Sequence, residues 1–483
     1  MNGHRMYLWA ILGAALLIRL LSLSAYPLMD TTEARYGEMA RLMVETSNWL
    51  TPQFDYGIPF WGKPPLFTWM SALGIESFGI NEFAVRVPHW LAGVIVIGLM
   101  SYFSRKLAMN ALITALVLAT CGIFSISSGA VMTDMALTLG MTLAIIGFYF
   151  CWQGSRIWGY VGFIGLAVGL LAKGPLIIVL VGLVVMPWLI IQHGFITSFK
   201  VLWSRFPLIS GSALMLMIAA PWYIMAEHAT PGFLDYFLVG EHINRFLVSG
   251  WEGDLYGSAH NEPRGTIWLF WLYSALPWSV VLPVLLWKKR HDIRKGSLIQ
   301  KSTLDRETNG SQNEAPKGVL SLLFLWMLSP LVLFTLSGNI LPAYVLPGIP
   351  ALGGLISLLM PGSSQNQKWF KVASSVVPVL LIGAVIYLQF GTADRKSDRV
   401  IFSHANQNLP TYYVGHRPFS GQFYSYGKAT PLVDQQVLSQ FEQFQLVGVR
   451  QEVNSLVEQN KLSCVIEYTA QSQRSLYRCH HSL

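Results

Sequence analysis

Apolar runs long enough to cross a bilayer recur eleven times along this chain. They lie at 7–24, 87–104, 110–127, 132–151, 157–171, 175–191, 207–226, 265–287, 318–336, 341–359 and 372–390. A segment surrounded by lipid must satisfy its backbone polar groups internally, which for runs of this length means helix. Pro- and Gly-interrupted stretches leave room for further crossings. The predicted fold is therefore mainly α, a polytopic transmembrane helical bundle of about 11–13 spans. Composition agrees: 53% of the residues are apolar and 12% charged, against about 25% charged in a soluble domain. The first run has the look of a secretory signal, but the many later spans favour an uncleaved first helix.

With the N-terminus inside, the basic short loops fall on one side: Arg105/Lys106, Arg156, Lys200/Arg205, Lys288–Lys295 and Lys368/Lys371. This positive-inside bias explains the net charge of +8, and no nucleic-acid partner is implied. The long loops 29–86 and 227–264 then lie outside, together with the last ninety or so residues. The segment 288–317 is rich in charge, Asn, Gly and Ser, and reads as a flexible cytoplasmic loop. After residue 390 short apolar stretches alternate with polar turns. We expect two parts: a membrane domain over 1–390 whose outer loops carry amphipathic helices, and a small C-terminal α/β extramembrane domain over 391–483. Cys464 and Cys479 are each seven residues from a polar centre at Gln471–Ser472. A hairpin turning there sets them opposite one another in an oxidising compartment, where they are expected to form a disulfide.

The polar stretch Asp30-Thr31-Thr32-Glu33-Ala34-Arg35-Tyr36 follows the first span directly. If Thr31 or Thr32 caps a helix, Asp30 and Glu33 sit at its positive end beside Arg35, an arrangement that keeps carboxylates ionised. The same pattern also suits an ordinary capped helix start. Lys63, in Phe60-Trp61-Gly62-Lys63-Pro64-Pro65, reads either as a phosphate ligand or as a snorkelling anchor among interfacial aromatics. Glu82 and Arg86 have the spacing of a helical ion pair. Asp134 opens an otherwise apolar span, and an ionisable group at such a place is a functional candidate. Lys173 interrupts two apolar runs at a Gly-Pro turn and suits either a phosphate or an anchoring role. In the second long loop Glu241, His242 and Arg245 would share a helical face, and His242 among acidic residues is a weak metal signal.

In order, DTTEARYGEMAR, FWGKPP, FGINEFAVR, AKGP, GEHINRF and SGNILPAYVLP make the first 360 or so residues resemble the bacterial aminoarabinose lipid A transferases. These are protein mannosyltransferase-like, membrane-embedded C-type glycosyltransferases. The resemblance implies a transferase that takes a sugar from a polyprenyl-phosphate (undecaprenyl-phosphate) donor at the outer face of the bacterial inner membrane. It implies an outer-facing cavity, a soluble C-terminal domain in the periplasm and inverting chemistry assisted by carboxylates, often with a divalent metal. Carried over by position, Arg35, Tyr36 and Glu33 match the family's Arg-Tyr and Glu. Lys63 matches its phosphate-binding Lys, Asp134 its second loop Asp, and His242 falls in the Glu-His motif that supplies a metal ligand. Thr32 stands where the family has an Asp before the Glu, so the principal carboxylate falls to Asp30 or Glu33. Gly62 stands where the lipid A enzymes have a Glu metal ligand.

The expected catalytic residues are thus Asp30, Glu33 and Asp134. Arg35, Tyr36, Lys63, Lys173 and Arg245 are expected to bind the donor, and His242 the metal. The partners are the lipid-linked sugar, a lipid A, glycan or other envelope acceptor, and membrane lipids, with the chain acting as a monomer. A lipid-linked sugar flippase is the alternative. It would need polar sites near midplane, whereas the candidate residues cluster toward one face.

Overall fold

All eleven apolar runs become helical, and their lengths decide how each crosses. The computed structural model describes residues 3–248, 250–257, 260–294, 318–360, 368–392 and 395–481. Most of the loop 288–317, including Lys295, lies outside the described residues. Among the described residues, eight helices are long and apolar enough to span, and the pair Thr266–Ser274 and Trp278–Arg294, bent by 94°, makes a ninth if counted as one. Val319–Phe334 is shorter, at 16 residues. The run 110–127 breaks into Ala111–Ala119 and Gly122–Ser127.

The two breaks meet. Gly122 N donates to Leu276 O at 3.0 Å and Trp278 Nε1 to Thr120 Oγ1 at 3.2 Å. Irregular backbone at membrane depth is tolerated where protein buries and bonds it, and each interruption here supplies the other's partner.

Helices Thr133–Trp152 and Arg156–Lys173 pack antiparallel through small residues. A Cβ on Gly147 would lie 2.5 Å from Gly162 N, and one on Gly140 2.8 Å from Gly165 O. Backbones this close need glycine. The packing sets the start of the first helix beside the end of the second, so Asp134 meets Lys173. Each charge also complements the dipole of its own helix end.

The first long loop folds into helix Thr32–Thr46, a short hairpin of Gln53–Asp55 with Ile58–Pro59, and helix Leu66–Phe78. Thr31 occupies the N-cap position without a side-chain capping bond. The Glu82–Arg86 pairing expected from spacing is replaced by a longer-range one. Arg86 is fully buried and reaches Glu33 through Nε (2.9 Å) and Nη2 (2.7 Å), and also donates to the carbonyls of Leu23, Tyr26 and Pro27. Glu82 instead accepts from Tyr424 OH at 2.8 Å and pairs with Arg399 at 3.2 Å. A guanidinium satisfies more acceptors in the crowded elbow after the first span than a single carboxylate one turn away could offer.

Beyond residue 390 a five-stranded sheet forms, in the order Ala429–Pro431, Thr411–Tyr413, Gln443–Val449, Arg474–His481, Leu462–Thr469. The first two pairings are parallel and the last two antiparallel, with helix Arg450–Gln459 between strands. The unit docks on the first long loop. Ser420 donates to Asp30 from both N and Oγ, Arg417 pairs with Asp55 at 2.7 Å, and Tyr424 OH accepts from Leu28 N at 2.7 Å.

Cys464 and Cys479 are cross-strand partners and are disulfide-bonded. Two irregularities cancel to place them so. The turn Gln471–Gln473, with Gln473 at φ 66°, moves the pairing by one residue, and a bulge between Ile466 and Tyr468 moves it back. Closing a loop of this length is worth about 3 kcal/mol to the domain. In unreduced, denatured protein only Cys121 and Cys151 should take a thiol label. Four labelled cysteines before reduction would disprove the bridge.

Candidate functional site

The two long loops and two helix ends converge on one cleft of about 540 Å³, counting the part open to solvent. Lys63 comes from the first loop. The two prolines after it lead into helix Leu66–Phe78 and hold the segment short. Tyr256 of the second loop straps it down: its hydroxyl accepts from Trp61 N at 3.0 Å and donates to Pro59 O at 2.9 Å. Lys63 is therefore no snorkelling anchor. Its ammonium bonds Glu241 at 2.6 Å, and only 17% of the side chain is exposed.

Glu241, His242 and Arg245 come from a π-helical stretch, Tyr236–Asn244, and the turn that follows it. Such wider turns recur at functional sites. Arg245 Nη1 reaches Glu241 at 2.9 Å and Asp254 at 3.4 Å. Burial pushes the Glu241 carboxyl up, but Lys63 and Arg245 outweigh it and hold it below the ordinary carboxylate range. Lys173 completes the set, bonding Asp134 at 2.6 Å with its ammonium 4.1 Å from the centre of the Tyr344 ring. Three cations thus face one cleft, whose apolar wall is Leu176, Phe246 and Phe334. The arrangement can hold an anionic headgroup that carries an apolar tail.

Gly174 makes the close approach of these elements feasible. It sits at φ +76°, and a Cβ there would lie 2.6 Å from the Phe237 ring and 3.0 Å from His242 Cε1.

The expected metal site does not fit these residues. His242 Nδ1 lies 2.7 Å from Phe237 O and Nε2 lies 3.2 Å from Lys173 O, so both ring nitrogens face carbonyls. Burial, with Lys63 adding to it, lowers the basicity of the ring, against the opposing bonds to the two carbonyls. Both Glu241 oxygens are taken by cations, and a side chain at Gly62 would meet the Phe60 ring at 2.7 Å. Among the described residues no three His, Cys, Asp or Glu side chains come together to hold an ion.

The remaining sequence candidates sit around the cleft rather than on it. Arg35 donates to the Tyr256 carbonyl and lies over the Tyr36 ring at 5.1 Å. Tyr36 packs on Phe67 with ring centres 4.5 Å apart. Arg35 thus braces the strap that holds Lys63, and Tyr36 reaches it through Phe60, whose ring lies 6.1 Å from that of Tyr36 and 4.6 Å from that of Tyr256. Glu33 is bound to Arg86, and Asp30 is covered by the C-terminal domain. Burial raises the Asp30 carboxyl, against the opposing bonds from Ser420. The helix-start pattern had pointed the other way, to a carboxylate kept ionised; the docked domain supplies the desolvation that local sequence does not show.

Glu241 was visible in the sequence but had no assigned role. Tyr344 and Asn339, which also line the cleft, were seen only as part of the run SGNILPAYVLP. A polar Asn between two apolar spans, and a Tyr near the start of the second, were the available signal.

Residues 9–237 match the family model described as dolichyl-phosphate-mannose-protein mannosyltransferase. The undecaprenyl phosphate-alpha-4-amino-4-deoxy-L-arabinose arabinosyl transferase 1 of Pseudomonas fluorescens is 27% identical over 405 residues, 79% of this chain and 64% of that protein. The transferase of the same name from Erwinia tasmaniensis is 30% identical over 387 residues, 77% of this chain and 61% of that protein. The chain therefore spans less than two thirds of the length of these relatives. In fold it is similar to ArnT from Cupriavidus metallidurans bound to undecaprenyl phosphate, with a TM-score of 0.70, 19% identity and 97% of each chain covered. The apo form of that protein gives 0.69 at 20% identity, with 98% of each chain covered.

Proposed function

This chain is a membrane protein with the C-type glycosyltransferase fold, similar in sequence to the aminoarabinose transferases, and on that premise we propose that it moves a sugar from a polyprenyl-phosphate donor to a cell-envelope acceptor. The observation that carries the reading is the convergence of Lys63, Lys173 and Arg245 on a cleft with an apolar wall. In the reaction the bond from the anomeric carbon to the donor phosphate breaks as an acceptor oxygen attacks. The electron pair leaves with the polyprenyl phosphate, and the three cations stabilise the charge that grows there. The prenyl chain runs along Leu176, Phe246 and Phe334 toward the bilayer.

Of the three candidate carboxylates, Asp134 is the one joined to the cleft, through Lys173. Glu33 and Asp30 act in this reading by holding the first loop to Arg86 and to Ser420. Glu241, the carboxylate that lines the cleft, is paired with Lys63 and Arg245, which makes it a weak base, and Asp134 is tied to Lys173. That pairing favours an acceptor already ionised, a phosphate group of lipid A or of another envelope glycan, for which no base is needed. The active face is periplasmic, with the N-terminus inside. The first long loop packs against both the second long loop and the C-terminal unit, and this gathering of all three at one end of the bundle supports that placement.

The deciding experiment is sugar transfer by purified, reconstituted protein from a polyprenyl-phosphate sugar to acceptor lipids that carry or lack phosphate. Absence of transfer to either would refute the reading. Because the donor set does not suit a divalent ion, the rate should stay within twofold after exhaustive chelation. A larger loss, restored by adding back a divalent cation, would show that the cleft rearranges to bind one.

A further inference from the structure

We propose that Asn339 is a substrate-binding residue whose side-chain amide donates to an oxygen of the sugar carried by the donor phosphate. The proposal rests on the assignment of the cleft to a polyprenyl-phosphate sugar, and it extends that assignment from the phosphate to the glycosyl group.

Asn339 lies between helix Val319–Phe334 and the 3₁₀ turn Pro342–Gly348, where the chain passes the rim of the cleft. It is 5% exposed. Its Oδ1 accepts from His260 N at 3.1 Å. A backbone N–H can only donate, so this bond identifies the oxygen end of the carboxamide and leaves the nitrogen end as the free one. The neighbouring backbone is tied as well: Asn339 N donates to Ser337 Oγ at 3.3 Å, and Gly338 O accepts from Glu262 N at 2.8 Å. The amide is thus held in one orientation.

Its Nδ2 is buried and has no hydrogen-bond partner among the described residues. A buried donor left unmade is costly, and a rigid one lining a binding cleft is the pattern of a group whose partner arrives with the ligand. Arg245 Nε is a second unspent donor in the same cleft. The two differ in kind. The guanidinium joins Lys63 and Lys173 as a ligand for phosphate, which already has three cations. A neutral carboxamide adds little to a phosphate so surrounded, and it suits a hydroxyl or ring oxygen. A site built to bond a substrate hydroxyl discriminates strongly against analogues that lack it.

The test uses the full-length reconstituted protein, with Asn339→Ala and Asn339→Asp. Two quantities are read: kcat/KM for the polyprenyl-phosphate sugar, and the inhibition constant of polyprenyl phosphate without sugar. Both variants should lower kcat/KM about tenfold, the range of one lost hydrogen bond to a buried partner. Asn339→Ala should leave the inhibition constant within twofold of wild type. An inhibition constant that rises as far as kcat/KM falls would place the contact on the phosphate and overturn the proposal. Asn339→Asp keeps the acceptor for His260 N, so wild-type kinetics in that variant would reduce Asn339 to a loop anchor. Wild-type kinetics in Asn339→Ala would show that water alone satisfies Nδ2, and would leave the cleft assignment standing. A wild-type protein that neither transfers sugar nor binds polyprenyl phosphate overturns both.

Discussion

Lys63→Ala should lower kcat/KM for the polyprenyl-phosphate sugar about 100-fold, mainly through a higher apparent KM. Truncating one partner of a buried, hydrogen-bonded charge pair costs about 2–5 kcal/mol, and 100-fold corresponds to about 2.7 kcal/mol. The variant should still fold, because Glu241 keeps Arg245 at 2.9 Å and is not left as an isolated buried charge. Lys63→Arg should recover only part of the loss. Tyr256 fixes the backbone at Trp61 for a compact ammonium, and a planar guanidinium needs more room. Donor kinetics unchanged in Lys63→Ala would remove Lys63 from the phosphate site and leave it as a structural partner of Glu241.

The largest loss of stability is expected at Arg86. Arg86→Ala would leave Glu33 without its cation and three backbone carbonyls of the elbow after the first span without a donor. Breaking a buried pair in this way costs about 3–5 kcal/mol, a large part of the stability of an ordinary domain. The variant should give little monodisperse protein in detergent and a clearly lower unfolding temperature. Glu82→Gln provides the contrast, since Glu82 bonds Tyr424 and the half-exposed Arg399 instead. If Glu82→Gln destabilised as much as Arg86→Ala, the helical pair suggested by spacing would be the correct one after all. A double substitution of Glu33 and Arg86 measures the coupling directly, because neighbours in one network do not add.

Lys63, Lys173 and Arg245 were legible in the sequence because a cation in a chain this apolar must have a purpose or a route to water. The Cys464–Cys479 bridge follows from equal spacing about the turn, although the turn and the bulge at 466–468 each shift the register by one residue and restore it only together. Asp30 shows the opposite case. Nothing near it in the chain reveals that Ser420, 390 residues away, would bury it.

The sequence by itself determined the helical membrane bundle and singled out the loops whose charged side chains meet at the cleft. Each follows from local physics: backbone that must be satisfied in lipid, and charges that are expensive there. Only the tertiary structure decided which carboxylate neutralises which cation. Arg86 took Glu33 over Glu82, and Glu241 took Lys63 as well as Arg245. A buried charge takes the partner that packing brings within about 3 Å, and that distance depends on how helices and loops far apart in sequence come to rest against one another.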